Sequence, residues 1–226
     1  EGNITFISYG EFIRTSESAV EEGTFDSFDI SFTGSYGTAL TQRLKVGLST
    51  KFLYSKLADV GAGLEKGKGI ATGFAVDFGL MYLLSHRLTL GMALTNLGPK
   101  MAYIDAAQAD HLPRNLAIGF AYKLLQSEYY QLLVTSDVNK ILVGMDDGLS
   151  EELKQLILNS GAEFLYANII ALRAGYIHDE EGAVKTMTLG VGLSLLDKFK
   201  FDFSYIPSGS TESLKNTLRV SVSVLL

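Results

Sequence analysis

Between Phe28 and Gly37 the chain alternates. Phe28, Ile30, Phe32 and Tyr36 occupy even positions, and Asp29, Ser31, Thr33 and Ser35 occupy the odd ones. Successive strand side chains point to opposite faces, so this segment reads as a strand with one greasy face and one polar face. The pattern returns downstream. Leu44, Val46, Leu48, Phe52 and Tyr54 oppose Lys45, Gly47, Ser49 and Lys51, and Phe74, Val76, Phe78, Leu80 and Tyr82 oppose Gly73, Ala75, Asp77 and Gly79. The last segment sets Leu218, Val220, Val222 and Val224 against Thr217, Arg219, Ser221 and Ser223. Applied along the chain, the two-residue period predicts about twelve strands: near 3–14, 26–39, 43–55, 70–82, 87–97, 114–124, 129–139, 160–167, 169–178, 184–195, 198–206 and 216–226. Pro99, Pro113 and Pro207 fall outside these strands or at their margins, as ladder hydrogen bonding requires. One helix is predicted, the amphipathic run Leu149–Leu158, with Ser150 as N-cap ahead of Glu151 and Glu152.

The connections alternate between long and short. TSESAVEEGT is followed by TALTQR, ADVGAGLEKGK by LLSHR, and GPKMAYIDAAQADHL by LLQSEY; the span 140–159 is followed by a very short turn near Asn168. A β-sandwich has no reason to keep its long loops at one end. An outer-membrane barrel does, with short periplasmic turns and long outer loops. The predicted fold is therefore an all-β, antiparallel transmembrane β-barrel, one domain over residues 1–226, with its greasy face on outer-membrane lipid.

Tyrosine agrees. Tyr36, Tyr82, Tyr122, Tyr130 and Tyr166 fall on outward positions near the short turns, and Tyr54, Tyr176 and Tyr205 near the other rim. A Tyr ring is apolar and its hydroxyl wants water, which places it at headgroup level in aromatic girdles.

The opposite face becomes the lumen. It collects small residues, such as Gly91, Ala93, Ala117, Gly119 and Ala121, and mid-strand charges: Asp77, Asp137, Glu163, Arg173, Lys200, Asp202 and Arg219. Glu163 and Arg173 lie on strands joined by a very short turn, which makes them candidate cross-strand neighbours. Charges taken from water persist when paired and hydrogen-bonded, so an interior ion-pair network is expected. A hydrated path for a polar solute is the alternative.

Composition adds limits. The chain is 47% apolar with a net charge of −6, no Cys and no Trp. No run approaches the length of a membrane helix, and a mildly acidic chain gives no reason to expect nucleic acid. Without Cys there are neither disulfides nor thiolate metal sites. His86, His111 and His178 have no spacing for a metal cluster or triad, and GAGLEKGKG (61–69) lacks the Ser or Thr that a phosphate loop needs after Lys68. The acidic stretches MDDG near Asp146 and HDEE near Asp179 lack the ligand count of a calcium loop. No enzymatic activity and no cofactor are expected. The chain opens at Glu1 almost directly in a strand, so it reads as processed or truncated.

Several blocks then carry a resemblance: GAEFLYANIIALRAGYIHDEEG (Gly161–Gly182), LTNLGPKMAY (Leu94–Tyr103), LPRNLAIGFAYKL (Leu112–Leu124), SDVNKILV (Ser136–Val143), and FDFSYIP followed by LKNTLRVSVS. Together they resemble the PorV/PorQ family of FadL-like outer-membrane barrels over nearly the whole chain. The resemblance implies fourteen strands in a full-length protein, so the first strands and an N-terminal segment are expected to lie outside these residues. It also implies a role in type IX secretion. Such barrels bind the C-terminal signal domain of secreted cargo and pass it from the translocon to the surface attachment complex. FadL-like transport of hydrophobic solutes, or a structural barrel, are the alternatives. With no chemistry to perform, the barrel would present loops, near 15–24, 56–69, 98–113, 140–159 and 207–215, to its partners. Their apolar residues Met101, Tyr103, Ile104, Leu142, Val143 and Met145 are the candidate contacts.

Overall fold

The computed structural model describes residues 1–226 apart from 17, 19, 59–67, 105–108, 143–154, 197, 208–216 and 225–226. Twelve strands follow one another: β1 (Gly2–Thr15), β2 (Glu21–Ala39), β3 (Leu44–Ala58), β4 (Gly69–Leu83), β5 (Leu88–Leu97), β6 (Asn115–Gln126), β7 (Tyr130–Ile141), β8 (Leu156–Tyr166), β9 (Ile170–Asp179), β10 (Val184–Leu195), β11 (Phe199–Ile206) and β12 (Thr217–Val224). Each pairs antiparallel with its sequence neighbour, so sheet order is chain order. The up-and-down sheet curls into a nearly closed barrel. Among the described residues no ladder joins β1 to β12.

Register keeps the two faces apart around the wall. Phe32 stands opposite Phe52, and Phe52 opposite Phe74. On the far side Phe164 meets Leu172, Leu172 meets Val191, Val191 meets Phe203, and Phe203 meets Val220. A slip of one residue on any strand would turn its apolar row inward, so the alternation itself fixes the register. These rows are exposed, whereas the buried apolar residues among those described are Ala71, Ala75, Met101, Ala171 and Ile206. The large side chains thus point out of the barrel and small ones close the inside. A continuous apolar band of that extent needs lipid against it.

All eight tyrosines predicted for the girdles lie on outward rows. Tyr82 stands opposite Leu44 and Leu90, Tyr122 opposite Leu88, and Tyr130 opposite Tyr166, all beside short turns. Tyr36 faces Leu48 and Tyr166 faces Ile170. Tyr54 and Tyr176 lie six residues beyond those partners on their strands, about 20 Å further along at the rise of a strand. Tyr205, opposite Leu218, sits near the same rim.

The predicted helix is corrected in part. Leu156–Leu158 open β8 and pair with Val138, Asn139 and Lys140 of β7. Leu156 and Leu158 continue the outward alternation, and in a membrane wall ladder pairing satisfies the backbone. Residues 149–154 of the predicted helix lie outside the described residues, as does most of the GAGLEKGKG loop. The β1–β2 loop is shorter than expected because β2 begins at Glu21 and pairs back to Thr15.

Candidate functional site

Three polar clusters occupy the inner face, built from residues that the two-residue period turns inward together with Asn96, which a bulge brings there. The first begins at a bulge. Val76 pairs with Leu97 and Phe78 with Leu94, so β5 carries one extra residue opposite Asp77. Asn96 absorbs the irregularity with φ 60°, a left-handed conformation that Asn tolerates. Its N–H donates to Asp77 Oδ1 at 2.8 Å, its Oδ1 accepts from Lys51 Nζ at 3.0 Å, and its Nδ2 donates to the Pro113 carbonyl at 2.8 Å. Lys51 Nζ also pairs with Asp77 Oδ2 at 2.8 Å, with both side chains largely withdrawn from water.

In the second cluster Asp137 Oδ1 accepts from Asn159 Nδ2 at 2.9 Å and from Asn139 Nδ2. Asn139 in turn accepts from Asn115 Nδ2 at 2.9 Å. The third links β8, β9 and β11: Arg173 Nε donates to Glu163 Oε2 at 2.6 Å and Arg173 Nη1 to Asp202 Oδ1. Of the seven predicted lumen charges, Asp77, Asp137, Glu163, Arg173 and Asp202 are thus tied into clusters. Lys200 lines the same polar recess as the Arg173 group, and Arg219 stands opposite Ser204; neither has an ion-pair partner among the described residues. The arrangement favours a braced wall over a single-sign pathway, since each charge cluster pairs acid with base or amide.

The Asn96 cluster anchors a loop that turns into the barrel. Met101 and Asp110 exchange two backbone hydrogen bonds, closing the loop on itself. Met101 is buried with its thioether over Gly73, where an added Cβ would meet the sulfur at 2.6 Å. Tyr103 donates its hydroxyl to Ser55 Oγ at 3.0 Å. Met101 is therefore corrected from a partner contact to a packing residue, because the glycine on β4 leaves it a seat inside the wall. Tyr103 is partly tethered, Ile104 remains exposed, and Leu142 is half-buried. Val143 and Met145 lie outside the described residues. At the loop's end the Arg114 guanidinium donates to the Gly98 carbonyl at 3.3 Å and lies 2.7 Å from His111 Nδ1.

Between this loop and the β1–β3 wall lies a cavity of about 310 Å³. Ile7, Leu53, Met101 and Leu112 give it an apolar lining, and Asp29 is the one charged residue among the described residues that line it. Asp29 Oδ2 accepts from Tyr9 at 2.6 Å. Tyr9 continues the inward row of Thr5 and Ile7 and is the extra residue of a bulge between Ser8 and Gly10, with Gly10 at φ 89°. Sequence reading did not single out Lys51, Asn96, Asp29 or Tyr9. The inward period marks Lys51, Asp29 and Tyr9, but the bulge that recruits Asn96 leaves no periodic signal.

With this geometry in place, known proteins can be compared. The family model described as type IX secretion system protein PorV matches residues 2–147. No curated protein sequence matches the chain. Among solved structures, the Pseudomonas putida toluene transporter TodX superposes with a TM-score of 0.56 at 14% identity, covering 98% of this chain and 75% of that one. The Ralstonia pickettii toluene transporter TbuX gives 0.56 at 14% identity, with 98% and 74% covered. A TodX deletion mutant described as a monoaromatic hydrocarbon channel gives 0.57 at 15%, with 91% and 72% covered. At these identities the likeness is one of fold.

Proposed function

The chain belongs to the family of the type IX secretion system protein PorV, and from that premise we propose that it is a non-enzymatic outer-membrane barrel that holds the C-terminal signal domain of secreted cargo and hands it from the translocon to the surface attachment complex. The family match carries this reading. The architecture supports it in a simple way: the inner face is braced by its own polar clusters, which leaves the outer face and the long-loop end for partners. In this reading the short turns face the periplasm and the long loops the cell surface. Val20, at the tip of the β1–β2 hairpin, and Ile104, in the β5–β6 loop, are exposed apolar residues at that end and are the described side chains best placed for contact.

A second reading, passage of hydrophobic solutes, is favoured by the apolar cavity beneath the β5–β6 loop and by the fold shared with the two toluene transporters. Affinity isolation of the full-length protein from its native outer membrane in mild detergent separates the two. Recovery of secreted proteins that share a C-terminal domain, with translocon or attachment subunits, is expected. Recovery of the barrel alone with bound small apolar molecules would reject the secretion reading in favour of the second.

A further inference from the structure

The cavity under the β5–β6 loop contains an inconsistency that points to a ligand. Its lining is mostly apolar, yet the Asp29 carboxylate opens onto it. Tyr9 satisfies Oδ2, but Oδ1 is buried and accepts no hydrogen bond from any described residue. A buried carboxylate oxygen without a donor is among the costliest arrangements in a folded protein. Ser55, directly opposite Asp29 on β3, accepts from Tyr103, and its hydroxyl makes no hydrogen bond to Oδ1. The nearest inner-face cation on that strand, Lys51, is committed to Asp77 and Asn96.

We propose that this cavity binds a small amphipathic cation, an apolar body carrying a protonated amine, with the amine donating to the Asp29 carboxylate once Oδ1 turns into the cavity. The apolar part lies against Ile7, Leu53, Met101 and Leu112. The volume of about 310 Å³ suits a molecule of one or two rings. A plain hydrocarbon would leave the carboxylate oxygen unsatisfied, and an organic acid would set two carboxylates together. The site therefore selects by charge as well as by size. This inference stands whether or not the barrel carries cargo.

Tryptamine is a suitable probe, because its indole fluorescence, read after equilibrium dialysis, reports the ligand directly. The full-length protein in lipid nanodiscs is titrated with tryptamine, with neutral 3-methylindole and with anionic indole-3-acetate, and empty nanodiscs measure partition into lipid. Saturable tryptamine binding is expected, with 3-methylindole about tenfold weaker and indole-3-acetate absent. Asp29→Asn, which keeps an acceptor for Tyr9, is expected to lower tryptamine affinity about tenfold and leave 3-methylindole unchanged. Leu53→Phe, which reduces the apolar space, is expected to weaken both. Heat-modifiable migration on gels confirms that each variant is folded. Equal binding of the three probes, equal binding by Asp29→Asn, or no saturable binding to the folded protein would overturn the proposal and leave Asp29 Oδ1 to water.

Discussion

Glu163 and Arg173 stand directly opposite each other across the β8–β9 hairpin, and Arg173 bridges onward to Asp202 on β11. One guanidinium thus ties two carboxylates across three strands at mid-wall. The fork of Arg donors suits this arrangement, since separate N–H groups reach separate carboxylates. Replacing Arg173 with Ala leaves two acids facing an inner recess. Arg173 is 40% exposed, so solvent screens part of the interaction. The expected loss of unfolding free energy is about 1–2 kcal/mol, below that of a fully buried pair. Urea titration in detergent micelles measures it. In a double-mutant cycle with Glu163→Gln the double variant should lose well under the sum of the two single effects, and strict additivity would show that the Glu163–Arg173 pair is not coupled.

The assignment of faces is open to a direct test at Val191 and Ser221. Val191 lies between Leu172 and Phe203 on the lipid side, and Ser221 faces Asp202 on the inner side. Val191→Arg places a charge in the apolar band and is expected to cost about 2–4 kcal/mol. Ser221→Arg puts the same side chain beside an acid and is expected to cost under about 1 kcal/mol. Refolding yield into lipid vesicles ranks the two, and the reverse order would invert the barrel.

What was legible in the sequence follows from what strands impose. A period of two states which residues share a face, and the hairpin turns state which strands neighbour, so Phe32–Phe52 and Glu163–Arg173 could be anticipated without coordinates. The same reasoning fails where the period breaks. Asn96 enters the inner face at a bulge, and Met101 enters because Gly73 leaves a gap on a strand far away in sequence. The run from Leu149 to Leu158 fits a helical stripe, but Leu156 and Leu158 also fit the strand period. Cross-strand pairing with β7 decides the matter for that end, and no local propensity encodes it.

Two inner-face glycines that look alike in sequence should behave differently. A Cβ at Gly119 would meet Asp137 Cβ at 2.6 Å and the Ser136 carbonyl at 2.7 Å, whereas at Gly79 it would meet nothing within 4 Å. Gly119→Ala must displace backbone on β7 and is expected to destabilise by about 1–3 kcal/mol. Gly79→Ala is expected to be neutral or stabilising by up to about 1 kcal/mol, since it removes conformational freedom from the unfolded chain. Thermal unfolding in detergent compares them. Equal Tm values would mean that β6 and β7 do not approach as closely as described.

His111 gives the β5–β6 loop a pH response. Desolvation, then the facing Arg114 and Lys100 cations, hold its pKa below the usual histidine value. The contact from Arg114 to Nδ1 requires a neutral ring whose Nδ1 accepts. A pKa lowered in the folded state means that the unfolded state takes up the proton first. The contribution is therefore present above about pH 6.5 and lost as pH falls through the folded value. Amides of residues 109–115 should exchange faster at pH 5 than intrinsic rates predict, relative to pH 7.5. Arg114→Gln should reduce that difference, and an unchanged pH response in this variant would detach the effect from the pair.

Asn96 is the residue on which the inward position of the loop depends most. It contributes a backbone donor to Asp77, an acceptor to Lys51 and a donor to Pro113, and it does so at a positive φ. Two substitutions separate conformation from contact. Asn96→Gly keeps the left-handed backbone at low cost but removes both side-chain bonds, so protection of the amides from 98 to 104 and 109 to 113 should fall about tenfold. Asn96→Ala removes the same bonds and adds the strain of a Cβ at positive φ, about 1 kcal/mol more. It should therefore lower protection further and expose Met101 to peroxide. Hydrogen exchange and the rate of Met101 oxidation measure the two effects. If Gly and Ala gave the same loss, backbone strain would play no part. If neither changed protection, the loop would be held by Met101 on Gly73 and by the bonds of Tyr103 to Ser55 and Arg114 to Gly98, and Gly73→Ala would then be the first substitution to test for its release.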